Sequence, residues 1–330
     1  MLEALQRKWI NLASEKLGAA AIACSDDFFA PMARMISDAE PVFIPDKYDD
    51  NGKWMDGWES RRKRGEGYDH CIVALCKAGV IHGVDIDTCH FTGNYAPAAS
   101  IEACYSPDGA PTASSDWQEL VAATPLEGNS HHPIAIEDDT VYSHVRINIF
   151  PDGGVARLRV YGSPSCDWGN RAANEVVDLA AMLQGGRAIA CNNEHFGSMH
   201  NLFAPGRGVN MGDGWETRSR REPGHDWVIL ALGHAGTIQS VEIDTAHFKG
   251  NFPHQCSIQG AFMQGVEEST LAQQSLYWQE LLPKQLMQMD HIHNYASELV
   301  DIGPITHARL NIFPDGGVSR LRLNGTIHRP

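Results

Sequence analysis

The chain has 330 residues, with 26 lysines and arginines against 41 aspartates and glutamates and a net charge of −15 with histidine neutral. That balance argues against a nucleic-acid partner, and no apolar run approaches the roughly eighteen residues of a membrane span. Eight cysteines without a Cys-x-x-Cys, mostly inside apolar runs such as Cys71 to Cys76, read as free thiols and not as a disulfide framework or zinc site. With Glu3 and Lys8 where a signal peptide needs an apolar core, the expectation is a reducing, cytoplasmic setting.

In chain order, an amphipathic helix is expected from Trp9 to Leu17, stopped by Gly18, and a short apolar strand from Ala20 to Cys24. A charged loop follows, Asp56-Gly57-Trp58-Glu59-Ser60-Arg61-Arg62-Lys63-Arg64. Cys71 to Cys76 reads as a strand buried on both faces, whereas Val84-Asp85-Ile86-Asp87 alternates, one face core and the other acidic. Val145 to Ile149, the turn Pro151-Asp152-Gly153-Gly154 and Val155 to Val160 read as a hairpin. On its polar side Arg146 and Asn148 are joined by Arg157 and Arg159, all taken as structural.

The pattern then returns. A helix is expected from Val176 to Leu183 before Gly185-Gly186, then strands at Ala188 to Cys191, Trp227 to Leu232 and Val241 to Asp244. The charged loop recurs as Asp213-Gly214-Trp215-Glu216-Thr217-Arg218-Ser219-Arg220-Arg221. His144 to Gly162 and His307 to Gly325 agree at 14 of 19 positions, where chance gives roughly one or two. The period of about 160 residues is far beyond solenoid repeats, so the chain is a tandem of whole domains. They are expected at residues 1–165 and 172–330, joined by the Gly162-to-Ala173 segment. Many strands punctuated by Gly, Pro, Asn and Asp indicate an all-β chain of two antiparallel jelly-roll sandwiches with short peripheral helices.

The order of tryptophan loop, apolar strand and terminal Arg-x-Leu-Arg strand is similar to the galactose-binding or discoidin jelly roll. More closely, Asp26 to Ala30, Phe43 to Tyr48, Lys53 to Arg62, Phe91 to Asn94 and Phe150 to Gly154 resemble the allantoicase family across essentially the whole chain. The resemblance implies hydrolysis of allantoate, a carboxylate bearing two ureido groups, to ureidoglycolate and urea. That chemistry needs a guanidinium for the carboxylate, a general acid for the departing nitrogen and a base for water or the remaining N–H. Direct displacement and elimination followed by water addition both meet those needs.

On that basis Arg61 and Arg218 are candidate carboxylate binders, each three residues after a tryptophan that anchors the loop. Glu59 and Glu216 are candidate bases, or else salt-bridge partners of neighbouring arginines. His90 and His247 are candidate acid–base groups, or histidines bonded to nearby backbone. Asn94 and Asn251 are ureido binders or turn residues. Trp117 and Trp278, each next to Gln-Glu-Leu, read as packing residues. The halves differ where Ser25-Asp26-Asp27-Phe28 faces Asn192-Asn193-Glu194-His195, so one half can carry a site that the other lacks. His-Glu-x-x-His is absent, and His131-His132 and His291-x-His293 differ in spacing, so no cofactor is expected and a catalytic divalent metal is not favoured. Allantoate is the implied partner, with self-association into a homo-oligomer. The competing reading is a non-enzymatic tandem discoidin-like binding module, which fold alone does not exclude.

Overall fold

The computed structural model describes residues 1–112 and 114–329; position 330, where the second expected unit ends, lies outside them. The chain divides into two compact units, Met1–Ser165 and Cys166–Pro330. Each is built on a single strand of 19 residues, Asp69–Asp87 in the first and Asp226–Asp244 in the second. The segments read separately as Cys71 to Cys76 and Val84 to Asp87 are the two ends of one strand.

That strand is long because it serves two layers. Near its start, Cys71 to Ala74 lies between Ala20–Cys24 and Val141–Phe150, which continues the layer into Ala98–Cys104 and Gln118–Pro125. Near its end it lies between Arg157–Pro164 and His131–Ala135, with Ile10–Asn11 added outside Arg157–Pro164. All these pairings are antiparallel, and a register shift between Tyr142 and His144 accompanies the passage from one layer to the other. Between the layers Val73, Ile81, Val84, Ile86, Val145, Ile147, Leu158 and Val160 form the core. The second unit repeats the scheme with Arg187–Cys191, Ile305–Phe313, Gln255–Ala261 and Gln279–Leu286 in one layer. Arg320–Ile327, Ile292–Tyr295 and Val177–Asp178 make the other. These are two tandem jelly-roll sandwiches of the galactose-binding-like type.

Several local expectations are corrected. The helix expected from Trp9 to Leu17 is instead strand Ile10–Asn11 followed by a 3-10 turn, Glu15–Leu17; the helix of this region lies earlier, at Leu2–Lys8. Leu12 is held by sheet-type bonds, its amide donating to the Val160 carbonyl and its carbonyl accepting from Cys76. Val176 to Leu183 likewise becomes strand Val177–Asp178 and a 3-10 turn, Met182–Gln184. In both cases pairing with the last strand overrides helical spacing. The glycine stops hold, with Gly18 and Gly185 at φ 105° and 86°. Ala20–Cys24 is an edge strand with Ala20 and Ala23 exposed, so it is not buried on both faces. The acidic face of Val84 to Asp87 is buried, Asp85 and Asp87 each being 2% exposed.

The expected hairpin is not one. Val141–Phe150 and Arg157–Pro164 both pair with the long strand and not with each other, so Arg157 and Arg159 do not join Arg146 and Asn148 on one face. Arg157 instead pairs with Asp56 at 2.8 Å, Arg159 donates to the Ser37 and Asp38 carbonyls, and Arg146 pairs with Glu102 at 2.7 Å. Arg157–Pro164 also takes up the first residues of the expected linker. The Pro-Asp-Gly-Gly segment serves another purpose: Gly154–Val155 pairs with Trp58–Glu59, and Gly317–Val318 with Trp215–Glu216. Trp278 packs against Leu271, while Trp117 lies under the Arg146 guanidinium, 4.4 Å from ring centre to carbon.

Phe91 and Phe248, both fully buried, fill the space against that turn. A Cβ on Gly154 would stand 2.1 Å from the Phe91 ring, and one on Gly317 2.0 Å from Phe248. Gly154→Ala is therefore expected to destabilise the protein by about 1–3 kcal/mol through overpacking. A lower urea midpoint with unchanged slope is the readout, and an unchanged midpoint would refute the packing account.

Candidate functional site

The site is best built from its tryptophan. Trp58 and Trp215 are fully buried, and each indole N–H donates to a main-chain carbonyl, Asp26 at 2.8 Å and Asn193 at 2.9 Å. The following glutamate is gripped through its backbone on both sides. Glu59 runs opposite Gly154 and its carbonyl accepts from the Phe29 and Ala30 amides; Glu216 runs opposite Gly317 and its carbonyl accepts from His195 and Phe196. In each unit the glutamate side chain meets an asparagine 35 residues on. Asn94 Nδ2 donates to Glu59 Oε1 at 2.9 Å, and Asn251 Nδ2 donates to Glu216 Oε1. Both asparagines are fixed by their own carbonyls, which accept from the Gly154 and Gly317 amides at 2.8 Å.

The arginines differ between units. Asp26 accepts from the Arg61 amide at 2.8 Å and from its Nε at 2.7 Å, and the guanidinium lies 5.0 Å above the Phe28 ring. Burial pushes the Asp26 carboxyl up, but the bonds from Arg61 and the Phe28 amide outweigh it and leave the group below its ordinary value. In the second unit Asn193 stands at the place of Asp26 and accepts from the Arg218 amide at 3.1 Å. Among the described residues none pairs with the exposed Arg218 guanidinium. His195 replaces Phe28 and meets Phe196 edge-on at 4.3 Å.

The rest of the basic run is partly structural. Lys63 pairs with buried Asp69 at 2.8 Å and Arg220 with buried Asp226 at 2.7 Å. Their amides donate to Asp152 and Asp315 of the Pro-Asp-Gly-Gly turns at 2.7 and 2.6 Å. His90 and His247 adopt left-handed backbone, φ 69° and 70°. Their Nε2–H groups donate to the carbonyls of Pro41 and Gly208 at 3.0 and 2.7 Å. No described hydrogen bond joins either histidine to the glutamate–asparagine pair of its unit. His132 and His293 prove to be counterparts despite their different spacing: Nδ1 of each donates to an isoleucine carbonyl, Ile86 or Ile243, and Nε2 accepts an amide at 2.8 Å. A cavity of the second unit, about 800 Å³ and lined by Trp168, His234, Phe262 and His307 among others, contains none of Glu216, Arg218, His247 or Asn251.

Asn193 and His195 were not among the residues given roles from sequence. The signal was present in the mismatch of Ser25 to Phe28 with Asn192 to His195, but only the structure puts that segment against the glutamate and arginine.

Each copy of the duplicated β-sandwich holds a glutamate, an arginine and an asparagine around a buried tryptophan, and similarity to known proteins gives the class, a tandem-repeat hydrolase acting on a carbon–nitrogen bond. The family model described as the allantoicase repeat matches residues 10–165 and 177–328. A probable allantoicase of Burkholderia mallei is 59% identical over 98% of this chain and 96% of its own length, and one from Photobacterium profundum is 57% identical over 96% of each. The crystal structure of allantoicase from Saccharomyces cerevisiae superposes with a TM-score of 0.81 at 33% identity, covering 97% of this chain and 94% of that one. The chain belongs to the allantoicase family. Its reaction is hydrolysis of allantoate in purine degradation, and the binding-module reading is not favoured. No helix among the described residues is long and apolar enough to cross a membrane.

Burial pushes the Glu59 carboxyl above its ordinary value, and the Asn94 bond partly offsets the rise. Removing that donor in Asn94→Ala is expected to raise the Glu59 pKa further, seen by carboxyl carbon NMR; a fall would contradict the assignment. Because the folded pKa is raised, this group favours folding below its unfolded value, and that advantage is lost as pH rises through the folded value. Glu59→Gln should therefore match or exceed the wild-type melting temperature at neutral pH, and a marked drop there would sink the argument.

Proposed function

We propose that allantoate is hydrolysed to ureidoglycolate and urea at the Trp215 loop of the second repeat, with Arg218 clamping the carboxylate. The observation that carries this reading is the exchange of Asp26 for Asn193. It leaves one guanidinium filled by an internal carboxylate and the other open on an equally anchored loop. A free fork can take the substrate carboxylate through two parallel N–H···O bonds. Glu216, held by Asn251, acts as base towards water or the remaining ureido N–H. His195, whose amide donates to the Glu216 carbonyl at 3.1 Å, protonates the departing urea nitrogen. The C–N bond breaks as that proton arrives, and the C–O bond to water completes ureidoglycolate, by displacement or through an imine. The second N–H of Asn251, directed only at the weak acceptor Met211 Sδ at 3.9 Å, turns to a ureido oxygen when substrate binds. His90 and His247, tied to backbone carbonyls, anchor their loops, and Glu59 with Asn94 and Arg61 preserves the scaffold in the first repeat.

Arg218→Lys keeps the charge and loses the fork, so KM should rise roughly ten- to hundred-fold, while Arg61→Lys should change it little. Asn193→Asp rebuilds the first repeat's ion pair and should also raise KM. Glu216→Gln should lower kcat by roughly 10²–10⁴-fold. Urea release from allantoate reads all four. A rise in KM for Arg61→Lys but not Arg218→Lys moves the site to the first repeat, and no change in either or in the double variant places the clamp elsewhere.

The same reading makes the chain a cytoplasmic homo-oligomer without nucleic-acid or membrane partners, supported by its net charge of −15 and by eight cysteines without a disulfide among the described residues. Light scattering at micromolar concentration should give a multiple of the 36.2 kDa chain mass; a sharp monomer would overturn the oligomer.

A further inference from the structure

Beside the loop that carries His90, the first repeat gathers groups that the reaction does not use. Asp85 and Asp87 lie two residues apart on one face of the long strand, both buried. His131, opposite Asp87 on the neighbouring strand, donates from Nδ1 to Asp85 Oδ2 at 2.8 Å, so in the neutral ring Nε2 is the nitrogen with the lone pair. That nitrogen lies 3.8 Å from Cys89 Sγ. Ligand atoms of Asp87, Cys89 and His131 all fall within 4.8 Å of one another. Tetrahedral zinc, with bonds of about 2.0–2.3 Å, sets nitrogen, oxygen and sulfur ligands about 3.3–3.6 Å apart, so the cluster needs to contract by about 1.5 Å at most. His131 and Cys89 are partly exposed, which leaves an entry path.

The second repeat supplies an internal comparison. Position 40 corresponds to 207, since the flanking groups make the same bonds: the Ala39 and Gly206 carbonyls accept from Arg159 and Arg322, and those of Pro41 and Gly208 from His90 and His247. At that place the second repeat has Arg207, whose Nε donates to Asp244 at 3.0 Å, where Asp244 is the counterpart of Asp87. The first repeat has Glu40 instead. Cys89 becomes Ala246, and His131 becomes Ile292, opposite Asp244. The copy with its own cation has lost the thiol and imidazole, and the copy that keeps them has an acid in place of the cation. Nor do the neighbouring arginines neutralise the first cluster: Arg157 is spent on Asp56 and the Ala39 carbonyl, and Arg159 on the carbonyls of residues 37–39. Paired buried carboxylates need a countercharge.

We propose that Asp87, Cys89 and His131 of the first repeat bind a divalent transition cation, zinc fitting best, with Asp85 orienting His131 and Glu40 adding negative charge at the rim. A sulfur, a nitrogen and an oxygen ligand with a fourth position open suit a borderline-soft ion. Asp85 completes a carboxylate–histidine–metal arrangement. On binding, the Cys89 S–H gives way to a metal–sulfur bond and its proton leaves to solvent. No catalytic step is assigned to this ion.

Cobalt(II) is the probe, titrated into full-length protein stripped with EDTA. Wild type should take one equivalent and develop the thiolate-to-cobalt charge-transfer band with the visible bands of tetrahedral cobalt, bleached by added zinc. Cys89→Ala and His131→Ile each install the residue that the second repeat already carries, and a circular-dichroism melt verifies their folding. Cys89→Ala should abolish the band, His131→Ile should weaken binding at least ten-fold, and Asp85→Asn should weaken it roughly 10–100-fold. Absence of the band in wild type, its survival in Cys89→Ala, or wild-type affinity in His131→Ile would each overturn the site.

Discussion

Everything at the loop end of each repeat depends on one apolar plug. An indole with no exposed surface, Trp58 or Trp215, fixes the loop to the sandwich, and its N–H spends its bond on the neighbouring segment, at the carbonyl of Asp26 or Asn193. Phe91 and Phe248 then occupy the room that two glycines leave open, which brings the Pro-Asp-Gly-Gly turn against the same loop. A loop on its own would hold an arginine loosely, whereas one pinned through a buried ring can present charged groups at fixed spacing. The repeated residues around the tryptophan are thus one mechanical device, used twice.

On that common device the two copies diverge by charge. Exchanging Asp26 for Asn193 decides whether an arginine is internally neutralised or available, and exchanging Glu40 for Arg207 decides whether a buried carboxylate meets an acid or a guanidinium. Neither exchange touches the core, which stays apolar in both copies. Duplication followed by change at the rim alters chemistry at little cost in packing, because surface substitutions away from caps and buried polar groups seldom carry large free energies.

The duplication, the anchoring of the loop tryptophans and the left-handed turns at Gly18 and Gly185 were legible in sequence, since each is a local or repeated pattern. What escaped was long-range. Cys71 to Cys76 and Val84 to Asp87 read as separate strands, yet one strand runs through both because different partners flank its two ends. Pro-Asp-Gly-Gly carries a strong hairpin signal, but the strands beside it find better partners in the long strand. Trp9 to Leu17 has helical spacing, and a pairing some 150 residues away, on the order of one whole domain, outweighs that weak local preference. The pairing of Glu59 with Asn94 has no sequence signature at all, since neither residue type demands the other. Each was picked as a candidate separately, and only the fold made them neighbours.

That distant pairing has its own consequence. Ile10 lies opposite Gly162, and Val177 opposite Gly325, so each repeat begins and ends on adjacent strands. Such a unit is a cassette: its ends meet, and a second copy can be spliced after the first without threading through either core. The same closeness means that a ribosome must deliver almost the whole repeat before its first strand finds a partner. Until then the edge of Arg157–Pro164 does not exist, and Ile10–Asn11 waits unpaired while the residues after it already have the long strand to join. A chain that joined the end of Arg157–Pro164 to the start of Ile10–Asn11 through a short turn, and opened at a surface turn, would keep its strand order, which makes the domain permutable as well as duplicable.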